Sequence, residues 1–175
     1  MSFEMALNLI LQHEGGYSDN PVDRGGPTKQ GVTQKVYDTW RMTSGKPVRS
    51  VREIDGSEVA AIYLQNYWRP VKCDLLPDDL ALVHFDSAVN HGVKRAIKFL
   101  QLATGASPDG VFGPATQAAL ATTMEKLSER IVIGLYLAER EDFYDDIVAR
   151  DPSQSVFLKG WKNRIAKLRT ETSTG

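Results

Sequence analysis

Glu14 is the side chain whose position in this sequence most suggests acid–base chemistry. Counting about 100° per residue from Phe3, Leu7 falls near 40°, Ile10 near −20° and Glu14 near 20°. A helix through these residues turns the Glu14 carboxyl along its own apolar face. Partial burial disfavours the charged form, and the negative end of the helix dipole disfavours it further. Gly15 and Gly16 let another segment come close. A carboxyl kept protonated near neutral pH is what a general acid needs. The position by itself also fits a glutamate paired with Lys or Arg, or one turned outward where the helix frays.

The residues that follow favour chemistry. Glu14-Gly15-Gly16-Tyr17-Ser18-Asp19-Asn20-Pro21-Val22-Asp23-Arg24-Gly25-Gly26-Pro27-Thr28-Lys29-Gln30-Gly31-Val32-Thr33 adds a second carboxylate, Asp23, and hydroxyls on a glycine-rich turn. Asp23 faces Glu14 if this loop doubles back as a hairpin. Two carboxylates in unequal surroundings suit glycoside hydrolysis: one protonates the leaving oxygen, the other activates water or stabilises the oxocarbenium ion. The segment resembles the Glu-Gly-Gly-Tyr signature of glycoside hydrolase family 108, the bacterial and phage N-acetylmuramidases of the lysozyme superfamily. Its Glu, Asp and Thr are also similar, in order and rough spacing, to the catalytic trio of phage-type lysozymes. The resemblance implies that Glu14 is the proton donor, that Asp23 orients or activates water, and that Thr28 holds that water. Gln30 departs from the aromatic residue often found before Gly31 in the family. Phe85-Asp86-Ser87-Ala88-Val89-Asn90-His91-Gly92 is similar to the family's central helix. Leu100-Gln101, Asp109-Gly110-Val111-Phe112-Gly113-Pro114-Ala115-Thr116 and Phe157-Leu158-Lys159-Gly160-Trp161-Lys162-Asn163-Arg164 are similar to its C-terminal part. The Asp109–Thr116 string is similar to peptidoglycan-binding modules as well.

Asp86 and Asn90 stand four apart beside Leu82 and Val89, a polar pair in an apolar sector. Either they line a sugar cleft opposite Glu14, or they form a buried hydrogen-bond network that fixes the helix. Tyr17 sits in the loop beside the acid, where its ring can stack on a sugar face. Tyr63, Tyr67 and Trp68 have the helical spacing of core residues. Thr33, at the end of the same loop, joins Tyr17, Asp86 and Asn90 as a candidate substrate contact. The three histidines make no metal site, because His84 and His91 are seven residues, ~10 Å, apart on a helix. Gly25 to Gly31 lacks the spacing of a phosphate-binding loop. Residues 139–151 carry six acids against two arginines, and residues 159–169 carry five Lys or Arg and no acid. The basic run fits either a solvated face or a surface resting on an anionic envelope.

The elements that hold these residues read as helical. Phe3, Leu7 and Ile10 mark a first helix ended at Gly15-Gly16, and residues 17–33 form a loop or short β-hairpin. Thr33 N-caps a second helix carrying Val36, Tyr37 and Trp40 inward. Asp55-Gly56-Ser57-Glu58 has capping-box spacing and opens a helix through Val59, Ile62, Tyr63 and Tyr67, stopped near Pro70. Pro77 to His91 is a helix ended by Gly92, and Ala96, Ile97 and Leu100 lie on the next, ended at Gly105. Asp109-Gly110 is a turn, and Pro114 starts another helix. Met124, Leu127, Ile131, Leu135 and Ala138 trace one long amphipathic helix; Leu158, Trp161, Ile165 and Leu168 trace the last. The expected class is mainly α: a helical bundle with a small β-hairpin lobe after the first helix, lysozyme-like by the resemblance.

The length suits one domain over 1–175, which by the resemblance is lysozyme-like, with the catalytic motifs in 1–100 and a helical part in 101–175 that resembles a peptidoglycan-binding region. The net charge is −1 over 175 residues, which excludes a strongly basic nucleic-acid binder. No apolar run approaches a membrane span, and one cysteine, Cys73, excludes an internal disulfide. The expected activity is cleavage of the β-1,4 bond between N-acetylmuramic acid and N-acetylglucosamine, by a monomer that needs no cofactor or metal. Rival expectations are a lytic transglycosylase, which uses Glu14 alone and leaves anhydro-sugars, and a non-catalytic peptidoglycan-binding or scaffolding domain. No signal peptide is visible at Met1-Ser2-Phe3-Glu4. This leads to the expectation of an endolysin made in a host cytoplasm and released to the periplasm or cell wall through a holin-type pore.

Overall fold

Helix α1 (Phe3–Leu11) starts where Ser2 accepts a hydrogen bond from the Met5 amide, and it buries Ala6, Leu7 and Ile10. The computed structural model describes residues 1–12, 16–18 and 27–172. They group into two units, residues 2–70 and residues 71–175 with Met1.

In the first unit the β feature consists of three short strands, β1 (Tyr17–Ser18), β2 (Thr28–Lys29) and β3 (Val32–Thr33). All neighbours are antiparallel: Tyr17 pairs with Lys29, Ser18 with Thr28, Thr28 with Thr33, and Lys29 with Val32. The β2–β3 connection is two residues long. Gln30 (φ +50°) and Gly31 (φ +77°) both take positive φ, the conformation that matches the twist of a tight hairpin. Gln30 has no glycine's freedom, and its carbonyl is held at 3.0 Å by the Tyr63 hydroxyl. Lys29 secures the other side by donating to the Arg52 and Ile54 carbonyls at 2.8 and 3.1 Å.

Thr33 caps α2 (Gln34–Thr43) as expected, accepting from the Val36 amide. Tyr37 and Trp40 are buried on that helix, together with Arg41. The capping box is formed: Asp55 and Glu58 bond reciprocally at the start of α3 (Gly56–Tyr63). A π turn over Leu64–Trp68 continues from it before Pro70. Glu58 has a second role absent from the sequence reading. Its carboxylate is buried and takes Arg41 at 2.7 Å, Arg49 at 2.8 Å and the Tyr37 hydroxyl at 2.5 Å.

The second unit is built on α4 (Asp78–His91), whose residues 80–88 are all buried. A helix covered all round belongs at the centre of a bundle. Its first amides have no local cap; those of Asp79 and Leu80 donate instead to the Glu129 carboxylate at 3.1 and 2.9 Å. That is a favourable place for an anion at a helix N-terminus. Gly92, at φ +81°, separates α4 from α5 (Val93–Ala103), and both pack on α7 (Glu129–Arg150). The Asp109-Gly110 turn is organised from inside by Gln101. Its amide nitrogen donates to Asp109, to the Val111 carbonyl and to Thr116, while its oxygen accepts from the Gly110 amide. Pro114 then opens α6 (Pro114–Lys126) at its first position.

Two expectations need correction. The long helix traced from Met124 to Ala138 is two helices, because Leu127 is extended and Ser128 starts α7. Its supposed inner stripe is also out of phase: Ile131 and Leu135 are exposed, while Val132, Ile133, Tyr136, Leu137 and Arg140 are buried. Helix α7 packs on α4, α5, α6 and α8 (Ser155–Glu171), so its covered arc is wide and includes a charged position. Nor is the basic run of α8 simply a solvated face. Lys162 pairs with Asp145 at 3.0 Å, Arg169 with Glu141 at 3.0 Å, and Arg164 with Asp86 at 2.7 Å. Lys162 and Arg169 thus tie the basic run to the acidic run of α7, and Arg164 ties it to α4. No helix of the structure is long and apolar enough to cross a membrane.

Candidate active site

The strands position three of the sequence candidates together. Tyr17 lies on β1, Thr28 on β2, and Thr33 at the end of β3, with Thr28 directly opposite Thr33. The hydroxyls of Thr28 and Thr33 therefore sit on paired residues of one small sheet. Thr33 uses its oxygen as acceptor for the α2 cap, which leaves its O–H as a donor. Tyr17 is at the exposed end of the sheet, with the Arg52 guanidinium 4.4 Å from its ring centroid. A cation over the ring helps hold it in place. Glu14 and Asp23 lie outside the described residues. The described chain brackets both of them. Gln12 caps α1 before Glu14, and the Ser18–Thr28 pair joins the two ends of the connection in which Asp23 occurs.

Asp86 and Asn90 belong to α4 in the second unit. Asn90 donates to the Asp86 carbonyl at 2.7 Å and to its carboxylate at 3.3 Å. Asp86 is 1% exposed, and its two carboxylate oxygens are taken by Arg140 at 2.6 Å and by Arg164 at 2.7 and 2.9 Å. Of the two sequence alternatives, the buried network is the one found around Asp86. Burial opposes its ionisation, but the two guanidinium groups outweigh this and hold the carboxyl below the usual range. Asn90 is half-exposed at the edge of that network, with its amide nitrogen committed to Asp86.

The sequence reading missed Arg140, which is fully buried and connects the cluster. It also donates to Ser87 at 3.2 Å, to Tyr144 at 3.3 Å and to His91 Nε2 at 3.0 Å. His91 therefore accepts with Nε2 and stays neutral; burial, then the Arg140 charge, pushes its pKa down to about 3. His84 is buried and lowered to about 3 by desolvation. The Tyr136 hydroxyl donates to the Ala96 carbonyl, so His84 donates from Nδ1 to Tyr136 at 3.0 Å. These histidines serve packing and hydrogen bonding. Among the described residues no group of His, Cys, Asp and Glu is placed to hold a metal ion. One signal for Arg140 was present in the sequence: it is one of two arginines in the acidic run of residues 139–151.

The family model described as Glycosyl hydrolase 108 matches residues 7–92, the span from α1 through α4. A second, described as Predicted Peptidoglycan domain, matches residues 95–166. Among solved structures the chain is similar to one titled as the structure of SagA from Brucella abortus. The two are 31% identical and superimpose with a TM-score of 0.78 over 97% of this chain and 92% of that one. No curated protein matches the chain. The sheet that carries Tyr17, Thr28 and Thr33 and the central helix α4 both fall within the hydrolase match, and the peptidoglycan match runs from the first turn of α5 into α8. The chain belongs to glycoside hydrolase family 108 and is a lysozyme-like glycoside hydrolase that acts on peptidoglycan.

Proposed function

We propose that the protein is an N-acetylmuramidase that hydrolyses the β-1,4 bond between N-acetylmuramic acid and N-acetylglucosamine. Glu14 protonates the glycosidic oxygen as it leaves, Asp23 activates or orients water, and Thr28 holds that water. Tyr17 and Thr33 contact the sugars, and Asn90, whose amide donates to Asp86, is a further candidate sugar contact on α4. The protein works as a monomer and without a cofactor. The observation that carries this reading is the Glu14–Thr33 motif inside the hydrolase match, with Thr28 and Thr33 on paired strand positions. A glycan backbone of neutral sugars needs local carboxylates rather than a global field, which agrees with a net charge of −1.

The test is digestion of purified cell walls by the wild type and by Glu14→Gln, with fragment masses read out. The variant is expected to slow release of reducing-end fragments by roughly 10²–10⁴-fold, the usual contribution of a positioned acid. Equal lysis by both proteins overturns the role of Glu14. Anhydro-muramyl ends select a transglycosylase, and wall binding without fragments selects a scaffold.

A further inference from the structure

Gly160 lies in the interior of α8, and a Cβ added there would meet nothing within 4 Å. Its backbone is ordinary helix, so neither close packing nor a positive φ requires glycine. Glycine also weakens a helix relative to alanine. What the missing side chain does is leave open space on the helix surface next to Trp161 in sequence and three residues after Phe157. Phe157 is 54% exposed and stacks on Trp161 with centroids 6.0 Å apart and planes 30° apart. Trp161 is fixed from the other side by Tyr144, at 4.7 Å and 12°. The Trp161 ring is half-buried, and its indole N–H has no acceptor among the described residues. Among the described aromatic side chains of the peptidoglycan match, Phe157 is the exposed one.

A rigid aromatic pair, a side-chain-free strip and one spare donor suit a pyranose ring. Its C–H face packs on the outer face of Phe157, which Trp161 backs, while a hydroxyl or acetamido oxygen takes the N–H. An anionic surface fits less well, because Lys162, Arg164 and Arg169 are each paired with an acid of α4 or α7. A stable protein partner would need about 800 Å² on each side, far beyond a few side chains. We propose that Phe157, Gly160 and Trp161 form a glycan-stacking platform that holds an N-acetylated sugar of the peptidoglycan strand. The proposal rests on peptidoglycan as substrate and adds a binding site apart in sequence from the Glu14–Thr33 motif.

The intact protein and its Phe157→Ser and Gly160→Gln variants are compared by cosedimentation with purified sacculi on ice. A second measurement is NMR titration with the N-acetylglucosamine tetramer, following the Trp161 indole N–H. Each substitution is expected to weaken sacculus binding about tenfold, as loss of an aromatic anchor or its access does. Gly160→Gln should do so while raising Tm, a combination that a purely structural role does not produce. Glu14→Gln should slow cleavage by roughly 10²–10⁴-fold and leave sacculus binding intact, so failure of the catalytic reading is separable from failure of the platform. Wild-type binding by both variants, an unmoved Trp161 signal, or no wild-type binding overturns the platform.

Discussion

Each unit contains a buried carboxylate held by two arginines, and the two clusters are built differently. Glu58 is held by Arg41, Arg49 and Tyr37, all within 21 residues of it along the chain. Arg49 remains 36% exposed, and Lys46, also half open to solvent, approaches at 3.7 Å. Asp86 is held by Arg140 and Arg164, which are 54 and 78 residues away. Its pair with Arg140 is sealed, at 0% and 1% exposure. In a sealed site the attraction is strong, but so is the penalty for removing one partner, since the remaining charge stays buried. A cluster open to water replaces a lost partner with solvent. The Glu58 cluster thus fastens a local turn, whereas the Asp86 cluster joins α4, α7 and α8.

This contrast is open to direct tests. Arg140→Met removes the sealed partner and should cost about 3–5 kcal/mol in urea unfolding; a loss below about 1 kcal/mol would contradict the distinction. The second test uses pH. His84 is lowered to about 3 in the folded protein from an unfolded value of 6.5, so the unfolded state gains the proton first. Stability from this group is complete above about pH 6.5 and declines as pH falls toward 3, by about 1.4 kcal/mol per unit. His84→Asn keeps an N–H near Tyr136 and should flatten the slope of unfolding free energy between pH 6 and pH 4 by about that amount. An unchanged slope would show that His84 is not buried and neutral. Glu58 behaves differently: its folded pKa lies below an ordinary 4.5, so its contribution persists down to that range and is lost only at lower pH. The smallest effect is expected from Arg49→Met, where Glu58 keeps Arg41 and Tyr37. Its Tm shift should be a minor fraction of that for Arg140→Met, and an equal shift would erase the contrast.

Local rules were legible wherever the partner lies within a turn or two. The Thr33 cap, the Asp55–Glu58 capping box, the Gly92 break and the Pro114 start depend on neighbouring residues and formed as expected. The candidate site was legible as a motif, and the strands explain how Tyr17, Thr28 and Thr33 come onto one sheet. Periodicity failed on α7, because an amphipathic stripe presumes one covered face and this helix has neighbours on several. The exposure of Ile131 and the burial of Arg140 are the two sides of that failure.

By itself the sequence determined the family, and with it glycoside hydrolysis as the class of chemistry, through the motifs inside the hydrolase match, and the mainly helical architecture, through caps and breakers. These are properties of residues close in the chain. Only the tertiary structure decided that Asp86 is gripped from both sides and that Glu129 caps α4. It also decided that the basic run of α8 answers the acidic run of α7 and that Phe157 stands exposed on Trp161. All but the last of those, a contact within one turn of α8, depend on which distant side chain arrives within ~3–6 Å, and electrostatic and packing energies are fixed only at such distances.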